Sequence, residues 1–415
     1  MMLTDLRRKI SIYLLLVVSF TGCDDNPYSL RSSDYEFYYT INNKDAADRL
    51  ASVMYNKTDT AHPVERFKIV HISDSHLSSW SKDNHSSYPN NLIESVAFAN
   101  QSALRINAML ATGDHISDTK KNEALANLNT FYKYLYTDNR IPTFPCYGNH
   151  DNNVNDKSKS EFLTSAELAN VFDNKGNYPL QRKAGKSYFY ADVKNPMGGV
   201  VRIIALDMTD RSRNEFSTMV DAVFSQEQVD WLGNEALKQG MTDQHSVIII
   251  THYPFQPYRD NGSTYLIEGN FSHTYKMIPE IVEAYRSKTS IKKVFQSMWG
   301  SSNPISVDFD FSESSGEFIC YMGGHVHSFA LFDIVGLDNA NENLLPQRMI
   351  ICTNQAPTEK GVVFNRVSRE DMSISSNSFN IYAIDTQERK IHITFFGAYK
   401  PSDKKSFPEI LELTY

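Results

Sequence analysis

The sequence predicts an α/β protein built as one layered domain, and three observations carry that expectation. From Phe67 onward, apolar runs of strand length alternate with helical periodicity. No later stretch is long and polar enough to link two independent folds. Five of the strand-like runs end in clusters of Asp, Asn and His, as expected where strands deliver polar groups to one crevice. At 415 residues, 41% hydrophobic and 22% charged, the chain can bury a large core.

In chain order, Arg7, Arg8 and Lys9 precede an apolar run over 10–20. That run falls short of the roughly 20 residues a membrane-spanning helix needs, so 1–22 reads as a signal peptide. Phe20-Thr21-Gly22-Cys23 resembles a bacterial lipoprotein processing site. The expectation is an exported protein, held at the cell envelope only through lipid on Cys23. The plainer reading is a Cys that happens to follow an ordinary signal. Removing 1–22 takes away three positive charges and Asp5, so the formal charge moves from −8 to −10.

Residues 23–65 are polar and turn-prone and read as a tether and N-terminal segment; 66–415 form the domain. Strands are expected at 67–72 and 108–111, and helices at 92–106 and 122–135. Further strands fall at 187–193, 200–206 and 247–250, with a helix over 226–238. The runs 380–384 and 390–396 flank a hairpin turn at 385–389. Segments 78–91 and 358–378 lack periodicity and are candidate active-site loops or plain surface loops.

The five clusters are Asp74-Ser75-His76 after 67–73, Gly113-Asp114 after 108–112, Gly148-Asn149-His150-Asp151 after 142–147, His252 after 247–251, and Gly323-Gly324-His325-Val326-His327 after 318–322. In Asp74-x-His76 and His325-x-His327 the alternation of an extended chain would put both candidate ligands on one face. Imidazole and carboxylate without thiolate suit Zn, Mn or Fe better than Ca or iron–sulfur chemistry. Glycines beside the clusters allow tight turns or close backbone approach.

Taken together and in this order, DxH, GD, GNHD, a lone His and GHxH resemble the motifs of calcineurin-like metallophosphoesterases. The resemblance implies a four-layer αββα sandwich of two mixed sheets, with strands from about 347 onward completing one sheet. It implies two divalent metal ions. One would be held by Asp74, His76, Asp114 and His327, the other by Asp114, Asn149, His252 and His325. It also implies hydrolysis of a phosphate ester by a hydroxide bridging the two ions. His150 would be the general acid or hydrogen-bond donor at the leaving group.

A shared carboxylate has a physical reason. Two dications about 3.5 Å apart repel by on the order of 20 kcal/mol at an effective dielectric of about 20. Asp74 and Asp114 bring −2 against +4, so the loaded pocket would attract phosphate inside an acidic protein. Some relatives orient the His of GNH with an Asp three residues after the GD aspartate. Here Ser117 occupies that place and Asp118 follows, which leaves the orienting partner open. Purple acid phosphatases have a Tyr there and DxG first, so a tyrosinate-coloured ferric site is not expected.

With formal charge −8 and no Lys/Arg block, specific or tight nucleic-acid binding is not expected. Cys146, Cys320 and Cys352 sit in apolar runs as inert thiols without a disulfide framework. His62, His71, His85, His115, His245, His273 and His392 read as core or solvated histidines, with His115 the closest to the clusters. Trp231 and Leu232 read as core. Asp151 reads either as a loop-orienting carboxylate or as a surface cap. Tyr258, Arg259 and Tyr265, in the loop after His252, read either as substrate contacts or as surface. A rival from another class is a catalytically silent scaffold of the same fold, which lost ligands would betray, and none of the motif residues is missing.

Overall fold

The computed structural model describes residues 33–56, 63–77, 87–153, 160–173, 175–210, 222–255, 258–260, 263–265, 271–298, 303–356, 374–398 and 408–415. The expected signal peptide and Cys23 lie outside them, as do His62, His85 and most of the two candidate loops.

The chain order begins with helix α1 (Ser33–Val53), β1 (Tyr55–Asn56), β2 (Val64–Glu65), β3 (Phe67–Ile72), α2 (Ser87–Ala99), β4 (Ala108–Thr112), α3 (Lys121–Tyr136) and β5 (Thr143–Cys146). Next come α4 (Ser165–Asp173), β6 (Phe189–Lys194), β7 (Val200–Ala205), α5 (Gln226–Trp231, continued by a π-turn to Ala236) and β8 (His245–Ile250). The short pair β9 (Tyr258–Asp260) and β10 (Ser263–Tyr265) precedes α6 (Met277–Ser287), β11 (Ser290–Phe295), β12 (Ile305–Asp310) and β13 (Glu317–Gly323). The chain closes with β14 (Ala330–Ile334), β15 (Gln347–Ile351), β16 (Ser378–Asp385), β17 (Lys390–Gly397) and β18 (Leu411–Thr414).

Two six-stranded mixed sheets result, ordered β18-β17-β16-β3-β4-β5 and β14-β15-β13-β8-β7-β6. Within the first, β3, β4 and β5 run parallel; within the second, β7, β8, β13 and β15 do. Side chains of β8 show how the layers stack. Ile248 and Ile250 join the core shared with the first sheet, while Val247 and Ile249 join the core beneath α5 and α6. A strand sends alternate residues to opposite faces, so an unbroken apolar run is the signature of a strand covered on both sides. Burying each such side chain stabilises the fold by about 1.5–3 kcal/mol relative to exposure. In β13 the register shifts between Phe318 and Cys320, and both Ile319 and Cys320 then face the inter-sheet core. Leu92 and Val96 of α2 and Leu128 and Phe131 of α3 cover the far side of the first sheet, which completes the four layers.

Three expectations are corrected. The segment 23–65, expected as a tether and N-terminal segment without regular structure of its own, contains α1, whose Ala46 and Leu50 are fully buried and which packs on β17. Its apolar stripe is interrupted by Asn42 and Arg49, and this hid it. Both are buried, and the fold supplies their partners: Asn42 donates to the Ile374 carbonyl, and Arg49 to Thr394 Oγ1 and the Phe395 carbonyl. The strands after 347 do not complete one sheet, because β15 joins the second and β16 to β18 the first. The helix expected over 92–106 ends at Ala99, where the Asn100 side chain turns back onto the Val96 carbonyl and Arg105 adopts a φ of 49°. The hairpin β16–β17 pairs in full register from Ser378↔Gly397 to Asp385↔Lys390. Cys146, Cys320 and Cys352 are buried and in no disulfide among the described residues, with Cys352 Sγ donating to the His71 carbonyl at 2.9 Å.

Candidate metal centre

The parallel strands of both sheets end at the same edge of the molecule. Asp74 and His76 follow β3, Asp114 follows β4, Asn149 and His150 follow β5, His252 follows β8, and His325 and His327 follow β13. All five clusters therefore meet. Asp74, His76, Asp114 and His327 each offer a ligand atom within 4.8 Å of the others, and so do Asp114, His252 and His325. Asp114 belongs to both groups.

Extended alternation is not what brings the paired ligands together. Asp74, His76, Asp114, His325 and His327 have φ of 52°, 47°, 49°, 70° and 58°, the left-handed region that non-glycine residues seldom adopt. Such residues cost on the order of 1–3 kcal/mol each and persist only where surrounding bonds over-determine them. Here Asp74 N–H donates to the Gly113 carbonyl at 3.0 Å, His76 N–H to the Asp114 carbonyl at 2.9 Å, and His325 N–H to the Asp74 carboxylate at 3.1 Å. The turns are thus locked to one another across strands. Close approach requires glycine at two of them. A Cβ on Gly148 would lie 2.2 Å from Asp114 Oδ1, and one on Gly324 would lie 1.8 Å from Ser73 Oγ.

Asp114 Oδ2 lies 3.1 Å from His252 Nε2, 3.8 Å from His150 Nε2 and 3.9 Å from His76 Nε2. His327 Nε2 lies 3.2 Å from Asp74 Oδ1 and 3.1 Å from His76 Nε2. Asp74 and Asp114 are fully buried, and among the described residues no lysine or arginine pairs with either. Burial works to raise both carboxyls, yet the surrounding imidazoles hold them below the usual carboxylate range. Burial pushes His76 and His325 down to about 3, so their rings stay neutral, the form that binds metal. Asn149 Oδ1 is buried and accepts no hydrogen bond among the described residues. Two buried carboxylates without a lysine or arginine partner, ringed by imidazoles and an orphaned amide oxygen, fit divalent cations.

Bonds behind the ligands orient them. His252 Nδ1 meets the Thr112 carbonyl at 2.7 Å, which turns Nε2 toward Asp114. Asp151 is buried and accepts from His115 N–H and Gly148 N–H, each at 2.8 Å, and from Ile116 N–H at 3.3 Å. It ties the β5 loop to the β4 loop. Burial, then the charge of Asp114, raises its carboxyl. The open question of the partner of His150 is answered by Asp118, whose Oδ2 contacts His150 Nδ1, one residue later than the pattern in relatives. His150 N–H also donates to Asp114 Oδ1 at 2.9 Å. Burial opposes charge on the His150 ring, but Asp114 and then Asp118 raise it to about 9. Its side chain is 28% exposed, the most open of the imidazoles around Asp114.

Other expected residues fall outside the centre. His115 stacks on Phe131 with ring centroids 4.3 Å apart, and His71 is spent between Tyr382 and Thr112. His245 and His273 bond to Thr242 and the Asn303 carbonyl, and His392 lies near Glu412. Trp231 is core. The side chains of Tyr258, Arg259 and Tyr265 lie outside the described residues. One cluster was missed. Thr353-Asn354-Gln355 follows β15, another parallel strand, and Gln355 N–H bonds the Ser73 carbonyl at 2.9 Å beside Asp74. The same signal, polar residues just past an apolar run, was present there.

Residues 67–329 match the family described as calcineurin-like phosphoesterase. Among solved structures, a purple acid phosphatase from yellow lupin (Lupinus luteus) seeds is similar with TM-score 0.47 and 10% identity, over 85% of this chain and 54% of that one. This chain thus spans about half the length of the lupin protein. PhoD is similar at 0.44 and 11% identity, over 84% and 68%. GAP50, the anchor in the inner membrane complex of Plasmodium, is similar at 0.39 and 11%, over 84% and 89%. No curated protein matches. With well over half of its length matched, and with the matched stretch spanning every clustered ligand, the chain belongs to the calcineurin-like phosphoesterase family.

Proposed function

We propose that this protein hydrolyses a phosphate ester at a binuclear metal centre. The observation that carries the reading is the sharing of buried Asp114 between two groups of donor atoms. Asp74, His76, Asp114 and His327 would hold one divalent ion; Asp114, Asn149, His252 and His325 would hold the other. When bound, Mn, Fe or Zn ions would supply a water-derived nucleophile and positive charge around the phosphoryl oxygens.

The chain's own groups do the rest. His150 holds a proton at Nε2, on the open side of Asp114, where a leaving-group oxygen can receive it. Asp118 accepts from Nδ1 and so fixes ring orientation and tautomer. Asp151 and Gly148 keep Asn149 and His150 facing Asp114. Because the carboxylates bring only two negative charges, the loaded pocket is electropositive and selects an anionic substrate without a basic patch. Export and lipid attachment at Cys23 belong to the same proposal and rest on the sequence of the first 23 residues.

The decisive experiment pairs metal analysis with turnover of p-nitrophenyl and bis-p-nitrophenyl phosphate by the metal-reconstituted protein. Two ions per chain and turnover of either ester are expected. Metal bound without turnover of any phosphate ester would turn the reading toward a silent scaffold.

A further inference from the structure

We infer that Gln355 is a positioning residue for the Asp74–His76 side of the centre, acting through Ser75; the inference rests on the metal reading above and extends it to a residue outside the motifs.

Gln355 is fully buried just past β15, and both ends of its amide are used. Nε2 donates to the Asn91 carbonyl at 3.2 Å and to Ser95 Oγ at 2.7 Å, while Oε1 accepts from Ser75 Oγ at 2.6 Å. A backbone carbonyl can only accept, so the amide has one orientation that satisfies the site, and Ser75 must donate. Asn91 is fixed in turn. Its side chain donates to the Gln355 carbonyl at 2.9 Å and to the Ser376 carbonyl at 2.8 Å, and its carbonyl also accepts from Asn377 at 3.1 Å. The group is anchored to α2 on one side and to the segment before β16 on the other.

What this clamp grips is the strained part of the centre. Ser75 lies between Asp74 and His76, which have φ of 52° and 47°. Gln355 N–H and Ala356 N–H bond the carbonyls of Ser73 and Asp74 at 2.9 and 3.2 Å. Together with the Ser75 hydroxyl, these bonds hold the turn from one flank, and the β4 loop holds it from the other through Gly113 and Asp114. Left-handed residues relax when such bonds are lost. The bond from Gln355 to Ser75 acts directly on the turn that carries Asp74 and His76, which with Asp114 and His327 would hold one ion. Of the other donors, His252 is braced separately by its bond to Thr112, and His325 meets this turn only through its N–H to the Asp74 carboxylate.

The test is calorimetric titration of the metal-free full chain with Mn²⁺ alone, for the parent protein, Ser75→Ala, Ser75→Thr, Gln355→Ala, His76→Ala and His252→Ala. The parent is expected to take two equivalents. Ser75→Ala and Gln355→Ala should each weaken one equivalent by about 10–100-fold, the usual effect of removing a bond behind a ligand. The weakened equivalent should be the one abolished by His76→Ala and spared by His252→Ala, and Ser75→Thr, which keeps the hydroxyl, should restore it. If Gln355→Ala does not fold, Ser75→Ala carries the test alone, since it leaves Gln355 bonded to Asn91 and Ser95. Equal weakening of both equivalents, no weakening, or weakening of the ion that His252→Ala removes overturns the inference while leaving two-metal binding intact. A parent protein that binds no Mn²⁺ overturns the metal reading and this inference together.

Discussion

At the residue scale, Asp114 and His150 have separable duties, and substitutions should separate them. Asp114 is the one carboxylate common to both donor groups, so Asp114→Ala is expected to reduce turnover of an activated ester to background. Metal content should fall with it, read by elemental analysis of the purified variant. Retained activity would mean that the shared carboxylate is misassigned. For His150→Ala, metal content should stay near the parent value while kcat falls about 10²–10⁴-fold on esters with poor leaving groups, the range for a lost general acid. The loss should shrink as the leaving group improves, and a flat dependence on leaving-group pKa would remove the proton-donor role. Asp118 contacts the far nitrogen of that ring. Asp118→Asn should therefore reproduce the leaving-group dependence of His150→Ala at smaller amplitude, and a variant with uniform losses would show that Asp118 only supports the fold.

Elements, rather than single residues, decide whether those side chains meet. β8 and β13 were legible because strands covered on both faces read as unbroken apolar runs, and their ends were marked by His252 and by Gly323-Gly324-His325. Helix α1 was not legible, since two of its buried positions, Asn42 and Arg49, rely on partners more than 300 positions away, although Arg49 also pairs with Asp45 within the helix. Its place in the core can be measured. Leu50→Ala is expected to cost about 2–5 kcal/mol in denaturant unfolding, as for a fully buried leucine. A loss below about 0.5 kcal/mol, the range of surface substitutions, would show that α1 does not pack there. Thr353-Asn354-Gln355 illustrates the opposite failure. The signal was visible, but with no Asp or His in the cluster nothing marked it as metal-related.

Across the whole molecule, two sheets from distant parts of the chain bring their carboxyl ends to one edge, and the centre sits where they meet. Neither sheet holds a complete donor set, because Asp74, His76, Asp114 and Asn149 come from one and His252, His325 and His327 from the other. Metal binding should therefore stabilise the entire fold rather than a loop. Chelation is expected to lower Tm by roughly 5 °C at metal concentrations about 100 times Kd, since ligands of the native state add to its stability by mass action. Scanning calorimetry with and without chelator checks this, and an unchanged Tm with loss of metal would show that the sheets are joined without help from the ions.

The order and identity of the motif residues, the alternation of strands and helices, and the nature of the donors were all determined by the sequence alone, because hydrophobic period and ligand chemistry are local properties. Only the tertiary structure decided which strands share a sheet, that Asp118 rather than Ser117 serves His150, that α1 belongs to the core, and that left-handed turns aim Asp74, His76, Asp114, His325 and His327. Each of these depends on bonds between residues far apart in the chain, and such bonds leave no period or spacing in the sequence to read.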